Sequence, residues 1–108
     1  MKTLEKLGKN GITISNKEIE HICQQYRIRE LSVFGSSLRD DFNKSSDIDF
    51  LVSFSDDADI SLFDIIKLEN ELKERLDRNI DIVEKESLKN PIRKRVILET
   101  SEVIYANE

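Results

Sequence analysis

The sequence predicts an α/β fold of the α+β kind: a small mixed β-sheet with helices packed mainly on one face. Three observations carry this. Short runs with apolar residues at every second position alternate with longer runs whose apolar residues recur every three or four, so strands and helices take turns along the chain. The 108 residues are the size of one domain, 1–108, and no repeat, linker or low-complexity tract divides them. Hydrophobic residues at 38% against 36% charged allow one modest core under a heavily charged surface.

The elements follow in order. Residues 1–14 carry the least pattern, with Gly8 and Gly11 bracketing a turn. Ser15-Asn16-Lys17-Glu18 fits a capping box, in which the serine hydroxyl and the glutamate carboxylate each satisfy an amide of the first helical turn. Ile19, Ile22, Cys23 and Tyr26 fall at i, i+3, i+4 and i+7, predicting a helix over 16–26. Residues 29–34 alternate, with Leu31 and Val33 on one side, and predict a strand that Gly35 ends. A short helix is expected over 36–42. Residues 46–54 predict a second strand, with Ile48, Phe50 and Val52 on one face and Asp47, Asp49 and Leu51 on the other. Residues 55–59, SDDAD, read as an acidic loop.

Ser61 begins a helix over 61–76, whose Leu62, Ile65, Leu68, Leu72 and Leu76 form a stripe expected to be core. Asp77-Arg78 turns the chain. Residues 79–84 predict a third strand, with Asp81 and Val83 opposite Ile80 and Ile82. Asn90-Pro91 is an N-cap followed by proline at the first helical position, opening a helix to residue 99. Residues 102–105 predict a short final strand.

The bulk properties exclude several classes. No run of apolar residues is long enough to span a membrane. The N-terminus, MKTLEKLGKNG, lacks the apolar stretch of a secretory signal. Cys23 is the only cysteine, so an intramolecular disulfide or a cysteine zinc site is not expected. A cytoplasmic location is the expectation. The net charge of −5 argues against binding long nucleic acid through phosphate contacts. It points instead to a small magnesium-carried anion or a protein partner.

The stretch GSSLRDDFNKSSDID, residues 35–49, carries the chemistry. Asp47 and Asp49 lie two apart on a strand, so both carboxylates project from one face. Held close, two carboxylates repel, and a divalent cation relieves that. Magnesium takes hard oxygen ligands, combining one or two carboxylates with water and substrate phosphates. Gly35 permits a tight turn through which backbone amides approach a phosphate. Ser36 carries a hydroxyl to donate to it, the free amides of the next helical turn favour an anion, and Arg39 lies one turn further on. Asp81, on the polar side of its strand, is the candidate third carboxylate, to ligate a metal and to deprotonate an acceptor hydroxyl. At ordinary residue usage, Gly-Ser followed by a spaced Asp-x-Asp arises by chance in about one such chain in 500. The plain alternatives are a solvated strand face for the acids, a simple turn for Gly35-Ser36 and an exposed helix charge for Arg39. The run Lys85, Lys89, Arg93, Lys94 and Arg95 reads as a solvated helix face, or as a dock for an acidic partner or a nucleotide tail.

The segment GSSLRDDFNKSSDIDFLV resembles the signature of the DNA-polymerase-β-like nucleotidyltransferase superfamily, and the chain is most similar to its smallest branch, the MNT-type antitoxins. VFGSSLRDDF, SDIDFLVSF, the leucine-rich helix, RNIDIVEKESL, the basic helix after Pro91 and the final VIYA occur in the order of that branch. The resemblance implies a nucleotidyltransferase fold, with Mg2+ held by Asp47, Asp49 and the third catalytic carboxylate, Asp81. It implies that Gly35 and Ser36 hold the triphosphate, with Arg39 and Ser46 beside them. It also implies an enzyme that transfers AMP from ATP to a tyrosine of a partner HEPN-type toxin. Many members read G-S-R-A-R-G here. This chain has Ser37 and Asp40 at two of those places, one cation fewer and one acid more beside the phosphates. Two other readings stay open: a non-catalytic antitoxin that neutralises a toxin by occlusion, and a stand-alone nucleotidyltransferase for a small-molecule acceptor.

Overall fold

A computed structural model of the chain describes residues 3–35 and 47–107. Along the chain run α1 (Thr3–Lys9), α2 (Asn16–Gln25), β1 (Ile28–Phe34), β2 (Ile48–Phe54), α3 (Leu62–Leu76), β3 (Ile80–Glu84), a 3-10 turn (Lys85–Ser87), α4 (Pro91–Thr100) and β4 (Glu102–Ala106).

Local signals set the helix ends. The Ser15 hydroxyl accepts from the Glu18 amide at 3.1 Å, and the Glu18 carboxylate accepts from the Ser15 amide at 3.3 Å. The same reciprocal box opens α3, where the Ser61 amide donates to Asp64 at 2.9 Å. Asn90 Oδ1 accepts from the amides of Ile92 and Arg93, at 3.0 and 3.1 Å. Such caps contribute about 1 kcal/mol each, since they satisfy amides that would otherwise lack partners.

The four strands form one mixed sheet in the order β3-β2-β1-β4. β1 is antiparallel to both β2 and β4, whereas β2 and β3 run parallel. A parallel pair needs a crossover, and α3 supplies it. The alternation expected from the sequence holds. Leu31 and Val33 of β1, Ile48, Phe50 and Val52 of β2 and Ile80 of β3 enter the main core. Leu7 of α1, Ile19, Ile22 and Cys23 of α2, and Leu68, Leu72 and Leu76 of α3 cover them. The opposite face carries a smaller cluster, Leu51, Leu88 and Ile97 with Phe34 and Val83, beneath α4. Three of the four described helices thus pack on one face, and α4 on the other.

Two expectations are corrected. The first turns of the chain form a helix, α1, where only a turn was expected; Leu7, 1% exposed, anchors it. Leu62 is not core: it is 72% exposed, beside exposed Phe63 and Ile66. At about 100° per residue, Leu62 stands roughly 80° from the centre of the stripe at Leu72, so it turns away from the sheet.

The candidate active site

The acids sit on the α4 face of the sheet, at the N-terminal ends of β2 and β3. Ile48 and Phe50 point into the main core, so strand alternation sends Asp47 and Asp49 to the other face. Ile80 and Ile82 do the same for Asp81. In the parallel ladder Asp49 lies directly opposite Asp81. Neighbouring strands are ~4.8 Å apart, so these two carboxylates leave the sheet side by side. Asp47 is exposed just before β2, and Asp81 is exposed on β3, at the edge of the sheet.

Gly35 closes the other side. Phe34 is the register partner of Asp49, and Gly35 next to it has a φ of +76°, a conformation glycine adopts without steric cost. A Cβ on Gly35 would lie 2.5 Å from Asp49 Oδ2. The missing side chain is therefore the space that the Asp49 carboxylate occupies. Among the described residues no three His, Cys, Asp or Glu side chains form a ready-made metal cage. The donor set still suits magnesium, which binds through one or two carboxylates and completes its shell with water and phosphate oxygens.

Ser36, Arg39 and Ser46, and the helix expected over 36–42, lie outside the described residues. The acidic loop is an ion-paired surface: Asp57 meets Arg27 at 2.7 Å and Asp56 meets Arg29 at 3.2 Å. Two residues of the basic run are ion-paired within the domain. Lys85 pairs with Glu30 at 3.1 Å and Arg95 with Glu99 at 2.9 Å. Arg93 instead lines a cleft with Phe34, Gly35, Val96, Ile97, Thr100 and Glu102. Sequence patterning did not reveal this cleft, because it joins α4 to residues some 60 positions earlier and only the tertiary fold brings them together.

Comparison with known proteins identifies the family. Residues 17–108 match the family described as "Polymerase beta, Nucleotidyltransferase". The protein adenylyltransferase MntA of Thermococcus cleftensis is 37% identical over 105 residues, spanning 97% of each chain. A toxin–antitoxin structure with AMP-PNP superposes with a TM-score of 0.70 at 18% identity, covering 88% of this chain and 76% of that one. A chain from the complex of an MNT antitoxin with the tri-AMPylated HEPN toxin of Shewanella oneidensis gives 0.62 at 17% identity, covering 94% and 73%. This chain belongs to the polymerase beta nucleotidyltransferase family, among its minimal MntA-like members.

Proposed function

We propose that this enzyme transfers AMP from ATP to a tyrosine hydroxyl of a HEPN-type toxin in the cytoplasm, and so acts as its antitoxin. The observation that carries the reading is the pairing of Asp49 with Asp81 beside Gly35. The relatives support the substrates: an MntA named as a protein adenylyltransferase, a related toxin–antitoxin structure with AMP-PNP, and an AMPylated HEPN toxin bound to its antitoxin.

In this reading Asp47, Asp49 and Asp81 hold Mg2+, which when bound neutralises the phosphate charge. Gly35 lets the chain approach the triphosphate closely, with Ser36, Arg39 and Ser46 as further nucleotide contacts. Asp81 accepts the proton of the acceptor hydroxyl. The oxygen attacks the α-phosphorus, the bond to the β-phosphate bridge breaks, and pyrophosphate leaves. Asp81 is exposed on an edge strand, so an acceptor as large as a folded protein has access from that side.

The test is incubation with labelled ATP, Mg2+ and a HEPN-type partner, followed by mass measurement of the partner. Asp47→Asn is expected to abolish the gain of AMP while the domain stays folded. Labelling by that variant at the parent rate defeats the metal assignment. Asp40, an acid where many members of the family have glycine, favours occlusion as the second reading. Full protection of cells by the Asp47→Asn, Asp49→Asn double variant selects it over catalysis.

A further inference from the structure

We propose that the first half of α3 is a docking surface for a second copy of this chain, with Phe63 of each copy seated in the cavity beside Tyr26 of the other. The inference stands apart from the nucleotide reading, because this surface lies far from the acids.

The surface begins with residues that the core leaves out. Phe63 is 77% and Ile66 46% exposed, and exposed Leu62 borders them. The buried stripe of α3 is centred on Leu72. At about 100° per residue Phe63 stands directly opposite that centre, with Ile66 about 60° from Phe63, so the three form one apolar ridge on the solvent side. Single exposed apolar residues are ordinary, whereas a contiguous group rimmed by charge marks an interface. Beside the ridge lies a cavity of about 330 Å³, whose lining includes Tyr26, Ile60, Asp59, Asp64 and Lys67. A cavity of ~150 Å³ takes up benzene, so a phenyl ring fits.

Two features select a second copy as the occupant. Knob and cavity share one helix: Asp64 and Lys67 line the cavity, and Phe63 precedes them. A two-fold axis therefore lets each copy supply both, as a self-complementary contact requires. The charges match as well. Arg27 and Arg29 are taken up by Asp57 and Asp56, but Asp59 and Lys67 make no ion pair among the described residues. Asp59 lies before the helix and Lys67 beyond the ridge, so two antiparallel copies of α3 bring Lys67 of each beside Asp59 of the other. The position leaves the acids open. The cavity adjoins the Ile28–Phe54 end of the sheet, and Asp49 lies at the Phe34 end, ~20 Å away along the strand.

The test is sedimentation equilibrium of the full chain at about 1 μM and about 100 μM. The parent is expected to be a monomer at the lower concentration and a dimer at the higher. Phe63→Ser, at a position outside the core, is expected to raise the dissociation constant about tenfold or more and to leave thermal melting of the monomer unchanged. Lys67→Glu is expected to weaken the dimer several-fold. The Asp59→Lys, Lys67→Glu double variant is expected to restore it, a recovery that loss of fold in either single variant would not give. A parent that stays monomeric at the higher concentration overturns the proposal. So does a dimer whose dissociation constant Phe63→Ser leaves unchanged, since another surface then holds it. Failure of the double variant to recover overturns the antiparallel two-fold. If the parent is monomeric and Phe63→Ser abolishes labelling of a HEPN-type partner, the surface belongs to that partner and the proposal falls.

Discussion

Replacing Gly35 with alanine tests the site at its tightest point. The new Cβ would stand 2.5 Å from Asp49 Oδ2 and 3.5 Å from its Cγ. Ordinary contact begins near 3.4 Å, so the carboxylate must retreat by about 0.9 Å. Misplacing a catalytic group by ~1 Å can cost about 100-fold in rate. The backbone adds a separate penalty, because a left-handed φ of +76° costs a residue with a Cβ about 1–2 kcal/mol. At roughly 4–8 °C per kcal/mol for a domain near this size, the melting temperature falls by about 4–16 °C. The assay pairs thermal melting with AMP transfer measured well below the melting range. Gly11→Ala is the control. It carries a similar φ of +79°, and its Cβ would meet only the flexible end of Arg78, at 3.1 Å. It is expected to lose comparable stability and to keep its transfer rate. If Gly35→Ala transfers AMP at the rate of Gly11→Ala, the Asp49 carboxylate is not placed by this contact and the geometric account fails.

Other outcomes follow from the packing and the charges. Leu68→Ala, at 0% exposure, is expected to lower unfolding free energy by about 2–5 kcal/mol, whereas Leu62→Ala stays within about 0.5 kcal/mol; urea titration that ranks them the other way refutes the division of the stripe. Burial pushes the Cys23 thiol up to about 12, so iodoacetamide should leave the native chain unmodified at pH 8 and label it in denaturant; labelling of the native chain contradicts the core placement. The Ser15 backbone amide, then its hydroxyl, holds the Glu18 carboxyl below 4.5, and Ser61 acts on Asp64 in the same order. A lowered native value contributes stability above the unfolded value, and that contribution is lost as pH falls through the native one. The stability gap between the parent and a Glu18→Gln, Asp64→Asn variant should therefore be open above the ordinary values of the two carboxyls, 4.5 and 3.8, and close as pH falls through their lowered native values; a gap that does not change with pH sinks the capping account.

How much of this was legible depends on the range of the interaction. The capping boxes at Ser15 and Ser61 and the proline start of α4 are local, and each lies where the sequence places it. Strand alternation is local too, which is why Asp47, Asp49 and Asp81 were assigned to polar faces. That the Asp81 strand could pair beside Asp47 and Asp49 was an expectation, but the register that sets Asp49 opposite Asp81 was not legible, because it depends on which strands neighbour each other and in what direction. α1 was missed for a different reason. Seven residues offer too few apolar positions for a periodic signal, and a helix that short forms only when packed. In α4 the apolar residues surround the axis, with Ile92, Val96 and Leu98 exposed and only Ile97 buried. Periodicity alone could not choose its face, so the cleft beside Val96 stayed hidden.

The sheet topology explains why residues so far apart in sequence meet at one end. β2 and β3 run parallel, so their N-terminal ends, with Asp49 and Asp81, lie at the same end of the sheet's strands. β1 runs antiparallel to β2, so its C-terminal end, with Gly35, arrives there too. Holding that register is a matter of burial. A slip of β2 by one residue would turn Ile48, Phe50 and Val52 to the other face and drive Asp49 into the main core. Those three residues are at most 2% exposed, and burying each contributes about 1.5–3 kcal/mol. The apolar side of β2 therefore fixes the acidic side. A substitution that loosens Phe50 or Val52 is expected to disturb the alignment of Asp49 with Asp81 even though it touches neither acid.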